Sequence, residues 1–208
     1  MDLRELDHGV DLEEVIRAAF DGLMRGHHTA MPVIVSTAGD GHTAGGQAAT
    51  KGTITALDGT QTQVNLPPLN DLPIHYPGGG GMTATHPVNV GEEGLAIVAS
   101  RSIDAWFQSG GTQNPVSDRM HHLADSFILP GFRSTPRKLP SVSSVSHQIR
   151  SDDGNHVTDH HPTNGITHAS IAKVMHAVGG TITAHLPGSI RAFSSMIAHN
   201  CGSPGSGF

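Results

Sequence analysis

The sequence predicts a mainly β protein led by one helix, and three observations support this. First, 26 glycines and 13 prolines are spread over 208 residues and fall at turns rather than in low-complexity tracts, which favours short strands and tight turns over helices. Second, strand-like runs recur between Met31 and Gly131, separated by Gly, Pro, Asn and Asp signals. Third, charged residues make up only 14% and aromatic residues 4%, where globular chains usually carry roughly 25% charge. A surface this short of charge suggests that other subunits cover much of it.

The helix comes first. Leu12, Val15, Ile16, Ala19, Phe20, Leu23 and Met24 recur at i, i+3, i+4, i+7 spacing, which lines one face of a helix over residues 11–25. Asp11 is placed to cap it with Glu14 three residues on, and Gly26 follows its last apolar position. A helix this short is marginal in water, so the apolar face needs a partner: its own barrel, a sister chain or a different protein.

Strands follow. Met31–Val35 starts the first, with Pro32 tolerable near its beginning. Residues 39–50 are small and weakly patterned, and carry only a faint signal for a second strand. Asp58–Gly59, flanked by Thr53–Thr55 and Gln61–Leu66, is the strongest hairpin dipeptide in the chain. Leu72–Tyr76, Met82–Pro87, Gly94–Ala99 and Ile103–Gln108 read as further strands, the last placing Asp104 and Trp106 in the barrel wall with Trp106 at a subunit contact. Gly78–Gly81 is a turn rather than a phosphate loop, since no helix and no Lys-Ser or Lys-Thr pair follows it. Phe127–Gly131 closes the run, and the set suits a small Greek-key barrel of the OB-fold kind.

The expected organisation is an N-terminal helix and lead-in over 1–30, a barrel over 31–131, a linker over 132–141 and a β-structured region over 142–208. The linker holds Arg133, Arg137, Lys138 and two prolines. Beyond it, Thr181–Leu186 alternates cleanly, whereas Ile171, Val174, Met175 and Val178 fit strand or helix equally. One copy of these strands has too little apolar surface for a core, and intertwining several chains would solve the burial problem.

The formal net charge of −6, with Lys51, Lys138 and Lys173 the sole lysines, argues against nucleic acid as a partner. Sixteen histidines are the compositional outlier, and their protonation below about pH 6.5 could reverse the sign of the net charge. A single cysteine, Cys201, excludes an intrachain disulfide. No signal peptide and no run of 18 apolar residues is present, so the chain is expected to be made soluble and to span no membrane alone.

Several motifs occur in a fixed order. Glu13-Glu14-Val15-Ile16-Arg17-Ala18-Ala19 precedes Met31-Pro32, then Leu66-Pro67 through Leu72-Pro73, and Tyr76-Pro77-Gly78-Gly79-Gly80. Pro87 with Gly91-Glu92 leads to Ser100-Arg101-Ser102-Ile103-Asp104-Ala105-Trp106 and Ser109-Gly110-Gly111. Arg119-Met120-His121, Leu123-Ala124-Asp125, Leu139-Pro140-Ser141-Val142 and Arg150-Ser151-Asp152-Asp153-Gly154 complete the series. In this order over residues 11–154 the chain resembles the central baseplate spike proteins of contractile-tailed phages, the Mu-like group with an N-terminal OB-fold.

The resemblance implies a homotrimer in the virion: an OB-fold collar under the tail tube or hub proteins, then an intertwined β-helix needle ending in a point. It implies a mechanical role without turnover, transmitting sheath contraction to pierce the host outer membrane. A hub or adaptor joining the tube to a separate tip protein is the alternative, because the needle is short between Gly165 and Gly188. In this family the tip often carries a His-x-His pair per chain around a metal reported as iron. Here His199 matches the first histidine, and Cys201 stands where the second would be. Three copies of each would give a mixed imidazole–thiolate site suited to zinc or ferrous iron; otherwise the tip holds no metal, and none is required by a mechanical role.

Thr158-Asp159-His160-His161-Pro162 is similar to the Asp-His-His signature of manganese phosphoesterases, which grip two metals to activate water. No Asp-x-Asp partner motif occurs in the chain, so the expectation is a polar loop after the barrel, with metal-dependent hydrolysis a remote alternative. His27-His28 and His121-His122 are expected to cap a helix end and to pack on the barrel.

Overall fold

A computed structural model describes residues 12–171. The chain divides into two compact units, one running up to Lys138 and one starting at Leu139. The first contains α1 (Leu12–Arg25), β1 (Ala30–Thr37), β2 (Thr43–Ala48), β3 (Gly52–Thr55), β4 (Gln61–Val64), β5 (Leu69–Pro73), β6 (Gly78–Gly79), β7 (Met82–Thr83), β8 (Glu93–Val98), α2 (Asp104–Ser109) and β9 (Ser126–Pro130). The described part is mainly β, and its principal feature is a curled five-stranded sheet.

That sheet runs β5-β2-β1-β8-β9, with every hydrogen-bonded pair antiparallel. Its outer strands come back towards each other: Ile74 bridges Ile128 in parallel, and the His75 amide donates to the Ile128 carbonyl at 2.9 Å. The concave side carries the core. On β1, Met31, Val33 and Val35 are buried and alternate with exposed Ala30, Pro32 and Ile34. They pack with Leu69, Leu72, Val88, Ala96 and Ile128. Period-two burial over a few short strands is what gives this unit a dry interior.

β2 explains why residues 39–50 look unpatterned. It lies between β1 and β5, and its small residues admit neighbours rather than fill space. A side chain at Gly46 would meet the Leu72 Cδ1 at 3.2 Å, and one at Gly45 would meet the Thr37 Cβ at 2.9 Å. The second-strand signal was faint because close approach, not apolar bulk, is the requirement there.

The Asp58–Gly59 hairpin forms between β3 and β4, with Asp58 accepting from the Thr60 amide and Gly59 at φ 83°. Gly80 and Gly81, both at positive φ, turn β6 into β7. That strand pair is short: of the expected Met82–Pro87 strand, Met82–Thr83 alone forms strand, with the Ala84 amide donating to the Pro77 carbonyl just beyond it. The expected Leu72–Tyr76 strand begins earlier, at Leu69, and ends at Pro73.

One strand expectation is overturned. Ile103–Gln108 is not a strand, since Asp104–Ser109 forms α2. The Phe107 amide donates to the Ile103 carbonyl at 2.8 Å, and Gly110 at φ 66° ends the turn. The alternation of Ile103, Ala105 and Phe107 mimics a strand over too few residues to separate the two periods.

The second unit, as described, is a meander of β10 (His147–Arg150), β11 (His156–His161) and β12 (Gly165–Ser170) in the order β10-β11-β12. The expected polar loop around Thr158–Pro162 is therefore mostly strand. It pairs on both sides, with Asp159 opposite Gln148 and Thr167. Polar side chains are tolerated because no residue of this sheet is buried. Ile149 and Ile166 are 68% and 64% exposed.

Candidate functional site

Asp125 organises the loop between β8 and β9. Its side chain is buried, and its Oδ1 accepts from the Ile103 amide at 3.0 Å and from Arg119 Nη2 at 3.0 Å. Its Oδ2 accepts from Arg119 Nε at 3.0 Å, so the guanidinium grips it with two nitrogens. The same Nη2 reaches Asp104 Oδ2 at 2.7 Å and Ser102 Oγ at 3.2 Å. Arg119's hydrogen bonds to Asp125 first and then to Asp104 raise its pKa further above the ordinary value. The planar fork of arginine suits such paired acceptors, which a lysine could not span.

This clamp gives the Ser-Arg-Ser-Ile-Asp-Ala-Trp motif and the distant Arg119 and Asp125 a common purpose. They fix the start of α2, and α2 fixes where Trp106 and Phe107 stand. Trp106 meets the Phe127 ring edge-on at 5.6 Å, and Phe107 stacks on His42 at 5.2 Å. With Ile74, Ile97 and Leu129 these rings line an open, mostly apolar groove of about 580 Å³. Trp106 is on a helix, not in the barrel wall, and is 44% exposed. A partly exposed aromatic cluster, held through an arginine on a buried carboxylate, has the composition of a contact surface.

At the root of α1 four imidazoles gather. The His27 and His121 rings lie 3.7 Å apart, the His28 amide donates to the His121 carbonyl, and His121 Nδ1 meets the His28 carbonyl at 3.1 Å. Burial first, then His122 and His27, pushes the His28 pKa below its ordinary value. His122 Nδ1 accepts from the Ala124 amide, which ties it into its own turn.

In the meander the Asp159-His160-His161 cluster is split by strand alternation, which sends His160 to the face opposite Asp159 and His161. Asp159 accepts from Ser146 Oγ and from Gln148 Nε2 at 2.7 Å. Ser146 first, then Gln148, holds its pKa below the ordinary value, with His161 and His160 adding to the effect. His161 Nδ1 accepts from the Thr163 and Asn164 amides. His160 instead meets His147 across the strands, with ring centroids 5.8 Å apart. Asp159 therefore acts as a cross-strand acceptor. Among the described residues no group of three or more His, Cys, Asp or Glu is arranged to hold a metal ion. His199 and Cys201 lie outside the described residues.

The Arg119–Asp125 clamp was missed from sequence as a unit, although both residues stand in the ordered motifs. Their pairing is legible only once β8 and β9 bring the ends of the loop together. Residues 31–131 match a family model described as the phage protein Gp138 N-terminal domain, which indicates a phage protein. No curated protein matches the chain.

Proposed function

We propose that this chain forms the central spike of a contractile tail baseplate: a homotrimeric virion protein that carries contraction force to the host outer membrane. The observation that carries the proposal is the bare sheet of the second unit. A three-stranded meander needs an apolar face packed on something to be stable. Here Ile149, Ile166 and Ile171 are all exposed, and the meander buries none of its own side chains. Three copies wound about one axis would supply the missing interior and leave few open strand edges.

The barrel supports the same role. Five antiparallel strands in the order β5-β2-β1-β8-β9, returning through the parallel Ile74–Ile128 bridge, follow the strand order of an OB-fold. The family match over this stretch favours a structural, baseplate-type phage protein. In this role the first unit is a collar against tube or hub proteins, the second begins the needle, and the work is mechanical, without turnover.

The test is the mass of the assembled protein. Sedimentation at micromolar concentration is expected to give a species near three times 21.7 kDa. Changing Ile149 and Ile166 together to Asp is expected to shift that species towards the single chain. A wild-type monomer at the same concentration would remove the basis for a spike.

A further inference from the structure

Strand register sorts the histidines of the meander. His147 stands opposite His160, His156 opposite Ser170, and Thr158 opposite His168. Period-two alternation therefore puts His147, His156, His160 and His168 on one face of the sheet, together with Ile149 and Ile166. The one carboxylate within these three strands, Asp159, points to the other face, where Ser146 and Gln148 donate to it.

The four histidines are not equivalent. The Nδ1 of His156 meets Ser170 Oγ at 2.7 Å, and the Nδ1 of His168 meets Thr158 Oγ1 at 3.1 Å. No hydrogen bond to a described residue occupies a ring nitrogen of His147 or His160. Their rings meet each other instead, with centroids 5.8 Å apart and planes 81° apart, and both side chains are exposed.

We propose that His147 and His160 form a cross-strand site for a divalent cation of the zinc, nickel or copper kind, held by two imidazoles and completed by water. Residues directly opposite each other across an antiparallel pair are near enough for two rings to converge on one ion. A tetrahedral zinc takes each imidazole nitrogen at about 2.0–2.1 Å, which sets the two ring centroids roughly 5 Å apart. The observed separation is slightly longer, and rotamer changes at two exposed side chains close it without moving either strand. The donors decide the class of ion. Neutral nitrogens on a face without carboxylates suit zinc, nickel and copper, whereas calcium and magnesium take oxygen.

The second unit has a use for such an ion. Its sheet buries none of its side chains, so packing within the meander contributes little to holding β10 against β11. An unfolded chain does not keep His147 beside His160, and an ion that needs both therefore favours the paired strands. The site lies within one chain and does not rest on the trimer. It is also separate from His199 and Cys201.

The experiment uses the full chain without a polyhistidine tag, stripped of metal, with His199→Ala and Cys201→Ser to remove the other candidate ligands. Each histidine is followed by its rate of modification with diethyl pyrocarbonate, read by peptide mass spectrometry with and without zinc. Zinc is expected to slow His147 and His160 at least tenfold and to leave His86 in the first unit unchanged. In His147→Ala, His160 is expected to lose that protection, and in His160→Ala, His147 is expected to do the same. Both positions are exposed, and the β circular dichroism of each variant is expected to match its parent. Equal rates with and without zinc overturn the site. So does protection of one histidine that survives loss of the other, because a single imidazole then suffices. Sedimentation of the same samples reads assembly separately: zinc protection in a monomer supports this site while removing the basis for a spike, and a trimer without protection does the reverse.

Discussion

The curled sheet of the first unit and the meander use the same antiparallel pairing and differ in what lies beneath it. In the first, β1, β2, β5, β8 and β9 curl until Met31, Val33, Val35, Leu72, Ala96 and Ile128 face one another and lose their water. In the meander, β10, β11 and β12 keep full pairing along the strands, and both faces remain open. Backbone hydrogen bonds are therefore not what separates a unit with a buried core from a sheet with exposed faces. Each such bond adds little net stability, because the unfolded chain bonds water instead. Burial makes the difference, at roughly 25 cal/mol per Å² of apolar surface.

The most drastic way to break this comparison is to separate the halves. A chain ending at Lys138 is expected to keep its β circular dichroism and unfold cooperatively at any dilution. A chain beginning at Leu139 is expected to show strand signal only at concentrations that allow assembly. Concentration-independent folding of the second piece would mean that it has a core of its own.

Next in size is the clamp. Asp125→Ala removes the buried acceptor of Ile103 and Arg119, and is expected to cost about 3–5 kcal/mol by urea unfolding. Asp159→Ala, which loses acceptor bonds of the same kind in the exposed meander, is expected to leave the barrel transition where it was. Equal effects on that transition would erase the distinction. Gly94→Ala should be milder, about 1–3 kcal/mol, because the new methyl would meet the Leu129 carbonyl oxygen at 2.8 Å on the paired strand.

The smallest effects are in pH, and they should separate the units. His28 in the first unit is held below its ordinary value of 6.5, so the unfolded chain takes up this proton first. Its contribution is full above pH 6.5 and is lost as pH falls through the lower folded value. In the meander, Asp153 is lowered to about 2 by Ser151 and then Asn155, and Asp159 is lowered by Ser146 and then Gln148. Their contribution is present above about pH 4 and fades as pH falls towards 2. An NMR pH titration should show the root of α1 responding first and the meander well below it. Simultaneous loss would contradict these assignments.

Much of this was legible in local chemistry. The α1 stripe, the Met31–Val35 alternation, the Asp58–Gly59 hairpin and the four-glycine turn each follow from spacing or from backbone freedom within a few residues. The misreadings share a cause of the opposite kind. α2 looked like a strand because Ile103, Ala105 and Phe107 alternate, while the groups that fix its start, Asp125 and Arg119, lie well beyond it in sequence. β2 was nearly invisible because its glycines answer to Leu72 and Thr37 on neighbouring strands. β11 looked like a polar loop because a coreless sheet gives no hydrophobic signal.

By itself the sequence determined that the chain is mainly β and where its tight turns fall. Those are consequences of side-chain volume, backbone restriction and spacing, all of which act locally. Only the tertiary structure decided that Arg119 and Asp125 hold α2, that Trp106 lies in an open groove, and that Asp159 and His160 part to opposite faces. Each depends on strands meeting across long stretches of chain, and pairing register is settled by the burial of the whole sheet, not by any one segment.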